Sequence, residues 1–349
     1  MKALPQANLE SAAALLEILR DPAAILDDET RILAANGSWR KLFPAARLEQ
    51  PLAISLRAPD VLDAIARVQK GGAPEIVIWS ERRPFTHYHE VYVAPLDVTG
   101  VGRTVGMSLR DQTEIRRTER MRVDFIANAS HELRTPLASL LGFVETLQGA
   151  ARNDEKARER FLGIMGEQAR RMKRLIDDLL SLSGIEQKEH LAPQTAVDLA
   201  GVVRQVKESL AAVAVDNHIR LSLDAPESLT VTGDRDELVR AVENLVENAI
   251  KYGASDDGSE KPVEIALAVQ DKRAVLKVRD HGPGIAREHL PRLTERFYRV
   301  DAGQSRAKGG TGLGLALVKH IVARHRGRLH IDSALGEGST FAMTLPMKE

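Results

Sequence analysis

Ser130-His131-Glu132-Leu133-Arg134-Thr135-Pro136 lies within a run whose apolar residues recur every three or four positions: Phe125, Ala129, Leu133, Leu137, Leu140, Leu141, Val144 and Leu147. That spacing lays one apolar stripe along an α-helix. Pro136 has no N–H for the carbonyl of Glu132, and its ring crowds that carbonyl, so the helix is expected to bend beside His131. His131 and Thr135 are four apart and share a face. The stripe takes the other side, so the imidazole is expected to look outward. A neutral imidazole is a nucleophile that needs a neighbour to take or orient its ring proton, and Glu132 is the adjacent carboxylate. An exposed histidine on a helix is by itself a bland surface residue; the proline and the carboxylate give this one weight.

Working outward, the pattern pauses at Gly149–Asp154 and resumes with Phe161, Ile164, Met165, Met172, Leu175, Ile176, Leu179 and Leu182. Two long helices and a short loop make an antiparallel hairpin. Two helices alone leave much of such a stripe wet, and pairing two hairpins into a four-helix bundle is the usual remedy, so a homodimer is expected. Upstream, the charged run Asp111–Arg120 joins the hairpin to a small α/β segment. That segment has a helix at Leu9–Leu19 and strands at Ala24–Leu26, Arg31–Ala35, Pro74–Ser80, Phe85–Val93 and Thr104–Leu109, the last after a Gly100–Gly102 turn. His87 and His89 share a strand face there and could ligate a metal or haem, but with no cysteine and no nearby carboxylate pair a packed or solvated strand is the expected reading.

Downstream, helices are expected over Leu199–Val215, Asp234–Tyr252 and Leu313–His325. Strands are expected at Ile219–Leu223, Leu229–Thr232, Val263–Val269, Ala274–Asp280, Arg328–Ser333 and Thr340–Leu345. This is an α/β sandwich, helices on one face of a mixed sheet. Three constellations sit on it. Asn244, Asn248 and Lys251 fall at i, i+4 and i+7 on one helix stripe, beside Tyr252. Asparagine is a poor helix former, an amide oxygen suits Mg²⁺, and a lysine meets phosphate as a point charge. Asp280-His281-Gly282-Pro283-Gly284-Ile285 ends a strand, with a carboxylate able to accept from the exocyclic amine of adenine and glycines that let backbone approach a ligand. Gly309-Gly310-Thr311-Gly312-Leu313-Gly314-Leu315 opens a helix, where backbone N–H groups cradle phosphate. It lacks the Lys-Ser/Thr ending of a P-loop and the βαβ setting of a dinucleotide fold. Between the last two, Ala286–Lys308 reads as a lid, with Phe297 and Tyr298 as its packing residues.

Composition narrows the classes. The 349 residues carry 49 Lys+Arg and 49 Asp+Glu, a net charge of zero, which argues against a general nucleic-acid binder. No cysteine is present, which excludes disulfides, thiolate metal sites and cysteine nucleophiles. No apolar run approaches the roughly 18 residues of a membrane span. The N-terminus lacks a signal-peptide core, so the chain as given is expected to be cytoplasmic.

In order and spacing, these blocks resemble the H, N, G1, F and G2 boxes of two-component sensor histidine kinases, the F box being Glu295-Arg296-Phe297-Tyr298-Arg299. The resemblance runs from about Arg116 to Leu345. Phe125–Leu137 with Leu141-Gly142-Phe143-Val144-Glu145-Thr146-Leu147 is most similar to the phosphate-regulon, PhoR-type, sensors, and the first hundred residues resemble a PAS domain. The resemblance implies a PAS α/β domain over 1–110 and a dimerisation and phosphotransfer (DHp) domain over 111–192, whose signalling helix is 111–120. It implies an α/β-sandwich GHKL (Bergerat) catalytic ATP-binding domain over 193–349.

His131 would accept the phosphoryl group of ATP, Glu132 would activate it, and Thr135 would orient water for dephosphorylating a response regulator. Asn248 would hold Mg²⁺, with Asn244, Lys251 and Tyr252 completing that wall. Asp280 would read adenine, with Gly282, Gly284 and Ile285 shaping the pocket. Arg299 would reach the phosphates, and Gly310, Thr311, Gly312, Leu313, Gly314 and Leu315 would close the triphosphate side. The implied partners are a second copy of the chain and a receiver domain of the PhoB type, with no direct nucleic acid. Such kinases are usually anchored in the inner membrane by an N-terminal segment, which is expected to be absent from the chain as given. A different GHKL ATPase would share the Asn248, Asp280 and glycine blocks but has no need of Ser130–Pro136. A signalling pseudokinase would not need Asn248, Asp280, Gly312 and Gly314 intact.

Overall fold

The computed structural model describes residues 4–83, 85–98, 103–149, 151–188, 190–255, 258–301 and 310–347. The Gly100–Gly102 turn, Gly309 and all but Asp301 of the run 301–308 lie outside them. The chain forms two compact units, Met1–Asp124 and Phe125–Glu349.

The first unit contains α1 (Leu4–Leu16), β1 (Ala23–Leu26), β2 (Ile32–Ala35), α2 (Gly37–Leu42), α3 (Pro59–Gln69), β3 (Glu75–Arg83), β4 (Phe85–Asp97) and β5 (Arg103–Asp111). The strands make an antiparallel sheet of order β2-β1-β5-β4-β3. On β4, His89, Val91 and Val93 are buried while Tyr92 is exposed, as a period of two requires. The pattern reading misses α2 and α3. Asn36 sets α2: fully buried, it accepts from the N–H groups of Trp39 (2.9 Å) and Ala23 (3.1 Å) and donates to the carbonyls of Leu16, Leu19 and Asp21. One side chain thus caps a helix and ties the end of α1 to β1.

Helix α4 (Thr113–Gln148) starts in the first unit and runs on into the second, where it forms the hairpin with α5 (Glu155–Gln187). Asp154 caps α5 by accepting from Ala157 N at 3.0 Å, and Phe143 stacks on Phe161 across the pair at 5.1 Å. The helix runs unbroken through Pro136. The hydroxyls of Ser130, Thr135 and Ser139 each bond the carbonyl four residues back, so side chains supplement the ladder around the missing donor. Leu137 and Leu141 on α4, and Leu162, Ile176 and Leu180 on α5, are exposed in the single chain. Among the described residues, no helix is long and apolar enough to cross a membrane.

The rest contains β6 (Ala196–Asp198), α6 (Leu199–Ser209), α7 (Ala211–Asp216), β7 (Ile219–Asp224), β8 (Thr230–Thr232), α8 (Arg235–Gly253), β9 (Lys261–Gln270), β10 (Arg273–Asp280), α9 (Gly314–Arg324), β11 (Arg328–Ala334) and β12 (Gly338–Pro346). A mixed sheet of order β11-β12-β10-β9-β7 has one parallel pair, β7 with β9; β6 and β8 make a separate ribbon. Helices α6, α8 and α9 cover the sheet, with Leu238, Leu245, Val278, Leu317 and Met343 among the fully buried core. This is the expected sandwich. The single helix expected over Leu199–Val215 is instead two, broken at Leu210. Leu210 is buried, whereas Val213 and Val215 are exposed, so the chain turns to keep Leu210 in the core and lets the following valines face water.

Candidate functional site

The site starts from α8. Asp234 accepts from the N–H groups of Asp236 and Glu237, fixing where the helix begins and hence its phase. Leu238, Ala241, Val242, Leu245, Val246, Ala249 and Ile250 turn into the core. The opposite stripe is half-buried and carries Arg240, Glu243, Asn244, Glu247, Asn248 and Lys251. Asn244 Nδ2 donates to the Arg240 carbonyl at 2.8 Å, and Lys251 Nζ pairs with Glu247 at 2.8 Å. Burial, with Glu247 nearby, pushes the Glu243 carboxyl above its ordinary range.

Asp280 ends β10 opposite Ser339 of β12 and is 3% exposed. Its Oδ1 accepts from Gly282 N at 3.0 Å, which closes the turn. Burial pushes its carboxyl up, against the opposing pull of the Gly282 and Ser339 backbone N–H groups. Gly284 has φ of +71°, and a Cβ there would collide with the Ala334 carbonyl, so only glycine fits. On the other side, the chain enters α9 with Asn244 Oδ1 packed against the Cα of Gly314, where a Cβ would overlap it.

These elements enclose a cavity of about 690 Å³. From α8 it takes Asn244, Asn248, Lys251 and Tyr252; from the end of β10, Asp280, Gly284 and Ile285; then Arg299; and from the glycine loop, Gly310, Thr311, Gly312, Gly314 and Leu315. Two expected residues stand behind the wall. Gly282 makes the turn, pressed against the Tyr252 carbonyl, and Leu313 is fully buried in the core. Tyr298 joins the lining, held by His289 Nδ1 at 2.7 Å and by the Arg292 guanidinium over its ring. Phe297 packs on Phe125 at 5.8 Å.

One wall comes from the hairpin: Arg174, Asp177 and Asp178 of α5. Asp178 accepts from Thr311 Oγ1 at 2.9 Å and from Arg240 at 3.3 Å, while Arg240 also reaches Ser181. Burial pushes the Asp178 carboxyl up against those bonds. Below it, Arg296 pairs with Glu186 at 2.5 Å.

His131, Glu132 and Thr135 lie outside this lining. His131 is exposed, as expected. Thr135 sits one turn on, its Oγ1 bonded to the His131 carbonyl at 3.2 Å. Glu132 accepts from two arginines at 3.2 Å each, Arg171 of α5 and Arg299. Arg299 thus lines the cavity and reaches the residue next to His131 at once. A buried carboxylate, amides on a half-buried helix stripe, a glycine-rich backbone segment and cations in the lining suit a purine nucleotide and its phosphates.

Comparison with known proteins bears on these same regions. Residues 121–188 match the His Kinase A (phospho-acceptor) domain, and residues 233–349 match the histidine kinase-, DNA gyrase B- and HSP90-like ATPase family. Over 235 residues the chain is 42% identical to the phosphate regulon sensor protein PhoR of Pseudomonas aeruginosa, covering 67% of this chain and 52% of that protein. The chain therefore spans about half the length of that relative. Over 276 residues it is 37% identical to the sensor-like histidine kinase SenX3 of Mycolicibacterium smegmatis, covering 74% of this chain and 70% of that protein. The crystal structure of histidine kinase ThkA in complex with response regulator protein TrrA shares the fold, with a TM-score of 0.53, 20% identity, and coverage of 96% of this chain and 98% of that one.

Proposed function

We propose that this chain, which belongs to the sensor histidine kinases, moves the terminal phosphoryl group of ATP onto His131 and then to an aspartate of a response regulator. The strongest support is an exposed His131 in the same compact unit as a nucleotide-sized cavity. Asp280 accepts from the adenine amine, and Gly284 and Ile285 shape the base end. Lys251, Arg299 and the Gly310–Leu315 backbone meet the phosphates.

Transfer is a matter of positioning and charge stabilisation. One ring nitrogen of His131 forms a bond to the γ-phosphorus. The bond from that phosphorus to the bridging oxygen breaks, and ADP leaves with its electron pair. The proton on the other ring nitrogen passes to Glu132. The phosphoramidate keeps a high transfer potential and hands the group to a partner carboxylate.

Mg²⁺ suits this wall. Asn248 offers a half-buried amide on the cavity lining, and an amide oxygen is a hard ligand of the kind Mg²⁺ takes. Asn248 would hold the ion through its amide oxygen, and the ion would supply charge that offsets the phosphates.

Two hairpins pair into a four-helix bundle; exposed Leu137, Leu141, Ile176 and Leu180 support this. The N-terminal unit acts as a PAS sensor, supported by its β2-β1-β5-β4-β3 sheet and covering helices. Thr135, one turn from His131, orients water for phosphatase action on the regulator. Likeness to the phosphate regulon sensor supports a phosphate-starvation signal and a PhoB-type partner.

The test is incubation of the full chain with γ-labelled ATP and Mg²⁺, then with receiver domains. Label stable in alkali and lost in acid is expected on the chain, absent from His131→Gln although that variant still binds ATP, and transferred to a receiver aspartate. Label of that kind on His131→Gln refutes the assignment.

A further inference from the structure

Glu132 receives two guanidinium groups on one carboxylate oxygen. Arg171 Nη2 and Arg299 Nη2 each lie 3.2 Å from Oε2. The contact is half-sealed from solvent: the side chains of Arg299, Glu132 and Arg171 are 7%, 17% and 20% exposed. Arg299 Nε is buried without a hydrogen-bond partner, although the same side chain lines the nucleotide cavity. A guanidinium fork fits carboxylate and phosphate oxygens alike, and a phosphate brings more charge. Glu132 therefore holds on Arg299 the place that a phosphate oxygen can take.

We propose that a phosphate of the bound nucleotide displaces Glu132 from Arg299, and that Arg171 keeps the carboxylate beside His131 through the exchange. The proposal rests on ATP being the substrate, as argued above. Neighbours on a helix point about 100° apart, so Glu132 must swing to reach the His131 ring. While two arginines hold it, that swing is opposed. Nucleotide arrival removes one of them, so the base is released when the phosphoryl donor is in place. Arg171 is a positioning residue: it touches Glu132 and none of the reacting atoms.

Linkage makes the proposal sharp. If Glu132 competes with phosphate for Arg299, weakening Glu132 must strengthen nucleotide binding, even though it removes the base. The experiment measures affinity of the full chain for Mg²⁺ and the imido analogue of ATP, which cannot transfer its phosphoryl group, by calorimetry. Glu132→Gln is expected to bind the analogue about threefold to tenfold tighter than wild type. Adenosine, which has no phosphate, should bind both equally, which also reports that the cavity is folded. In an Arg299→Gln background the gain from Glu132→Gln should vanish. Arg171→Gln should lower autophosphorylation kcat at least tenfold with KM for ATP little changed, and Arg171→Lys should recover part of it.

Equal affinity of Glu132→Gln and wild type for the analogue, or a gain that survives loss of Arg299, overturns the exchange. A rise in KM with unchanged kcat in Arg171→Gln overturns the positioning role. Failure of wild type to bind the analogue at all removes the nucleotide reading itself, a distinct result that takes the exchange with it.

Discussion

His325 Nε2 accepts a hydrogen bond from the Asp234 N–H at 2.9 Å, fastening the end of α9 to the residue that caps α8. The other ring nitrogen lies 2.7 Å from the Ile321 carbonyl and donates to it, so the ring is held in one neutral tautomer. The ring is 2% exposed. The helix that carries Asn244 and Asn248 takes its starting point from this contact.

Burial holds the His325 pKa below its ordinary 6.5. The unfolded chain therefore binds the proton first as pH falls, and folding stability drops with it. The contribution is complete above about pH 6.5 and is lost as pH falls below that value toward the folded-state pKa. Thermal melting of the full chain from pH 8 to pH 5.5 should show the loss in the transition of the Phe125–Glu349 unit. His325→Phe should destabilise that unit at pH 8 by about 1–3 kcal/mol, through the Asp234 N–H left without its acceptor, while the Ile321 carbonyl keeps the backbone N–H of residue 325. It should also flatten the pH dependence; an unchanged slope in the variant sinks the assignment.

Gly314 admits Asn244 because it has no side chain. Gly314→Ala must push the Asn244 amide off the cavity wall. Nucleotide affinity is expected to fall about tenfold, or roughly 1.4 kcal/mol. Fluorescence titration with a labelled ATP analogue measures this, and a melting temperature close to wild type would place the effect in the site. Unchanged affinity would mean that Asn244 does not contact nucleotide.

Asp280→Asn keeps the shape of the buried acceptor and removes its charge. A hydrogen bond to a charged group contributes about 1.5–3 kcal/mol, so adenine nucleotide affinity should fall about 10- to 100-fold. Competition between ATP and GTP should show preference for adenine shrinking by a similar factor. Preserved preference would assign base recognition to another residue.

The α8 wall is legible in the sequence because it is local: Asn244, Asn248 and Lys251 lie within eight residues, and helix geometry alone stacks them. Arg240 sits one turn earlier on the same stripe and could have been added, but a single arginine in a helix signals nothing. The α5 wall has no such local sign. Asp178 meets Thr311 across 133 residues of chain, and Arg171 meets Glu132 only because the hairpin returns at that register. Leu313 and Gly282 stand within nucleotide-binding motifs, yet one serves packing and the other a turn; the motif marks the segment, not which atoms face inward. The α3 pattern is present in the sequence, with Pro59 in its first turn and Val61, Ala64, Ile65 and Val68 buried at helical spacing. Short α2 depends on the distant bonds of Asn36, which periodicity does not register.

Because Arg174, Asp177 and Asp178 belong to the hairpin and still form a side of the nucleotide chamber, an excised sandwich presents a differently shaped receptor. Inhibitor screens run on that fragment will favour compounds that fill an open trough. Compounds that bridge trough and helix will be ranked correctly only on the longer chain, where both surfaces are present.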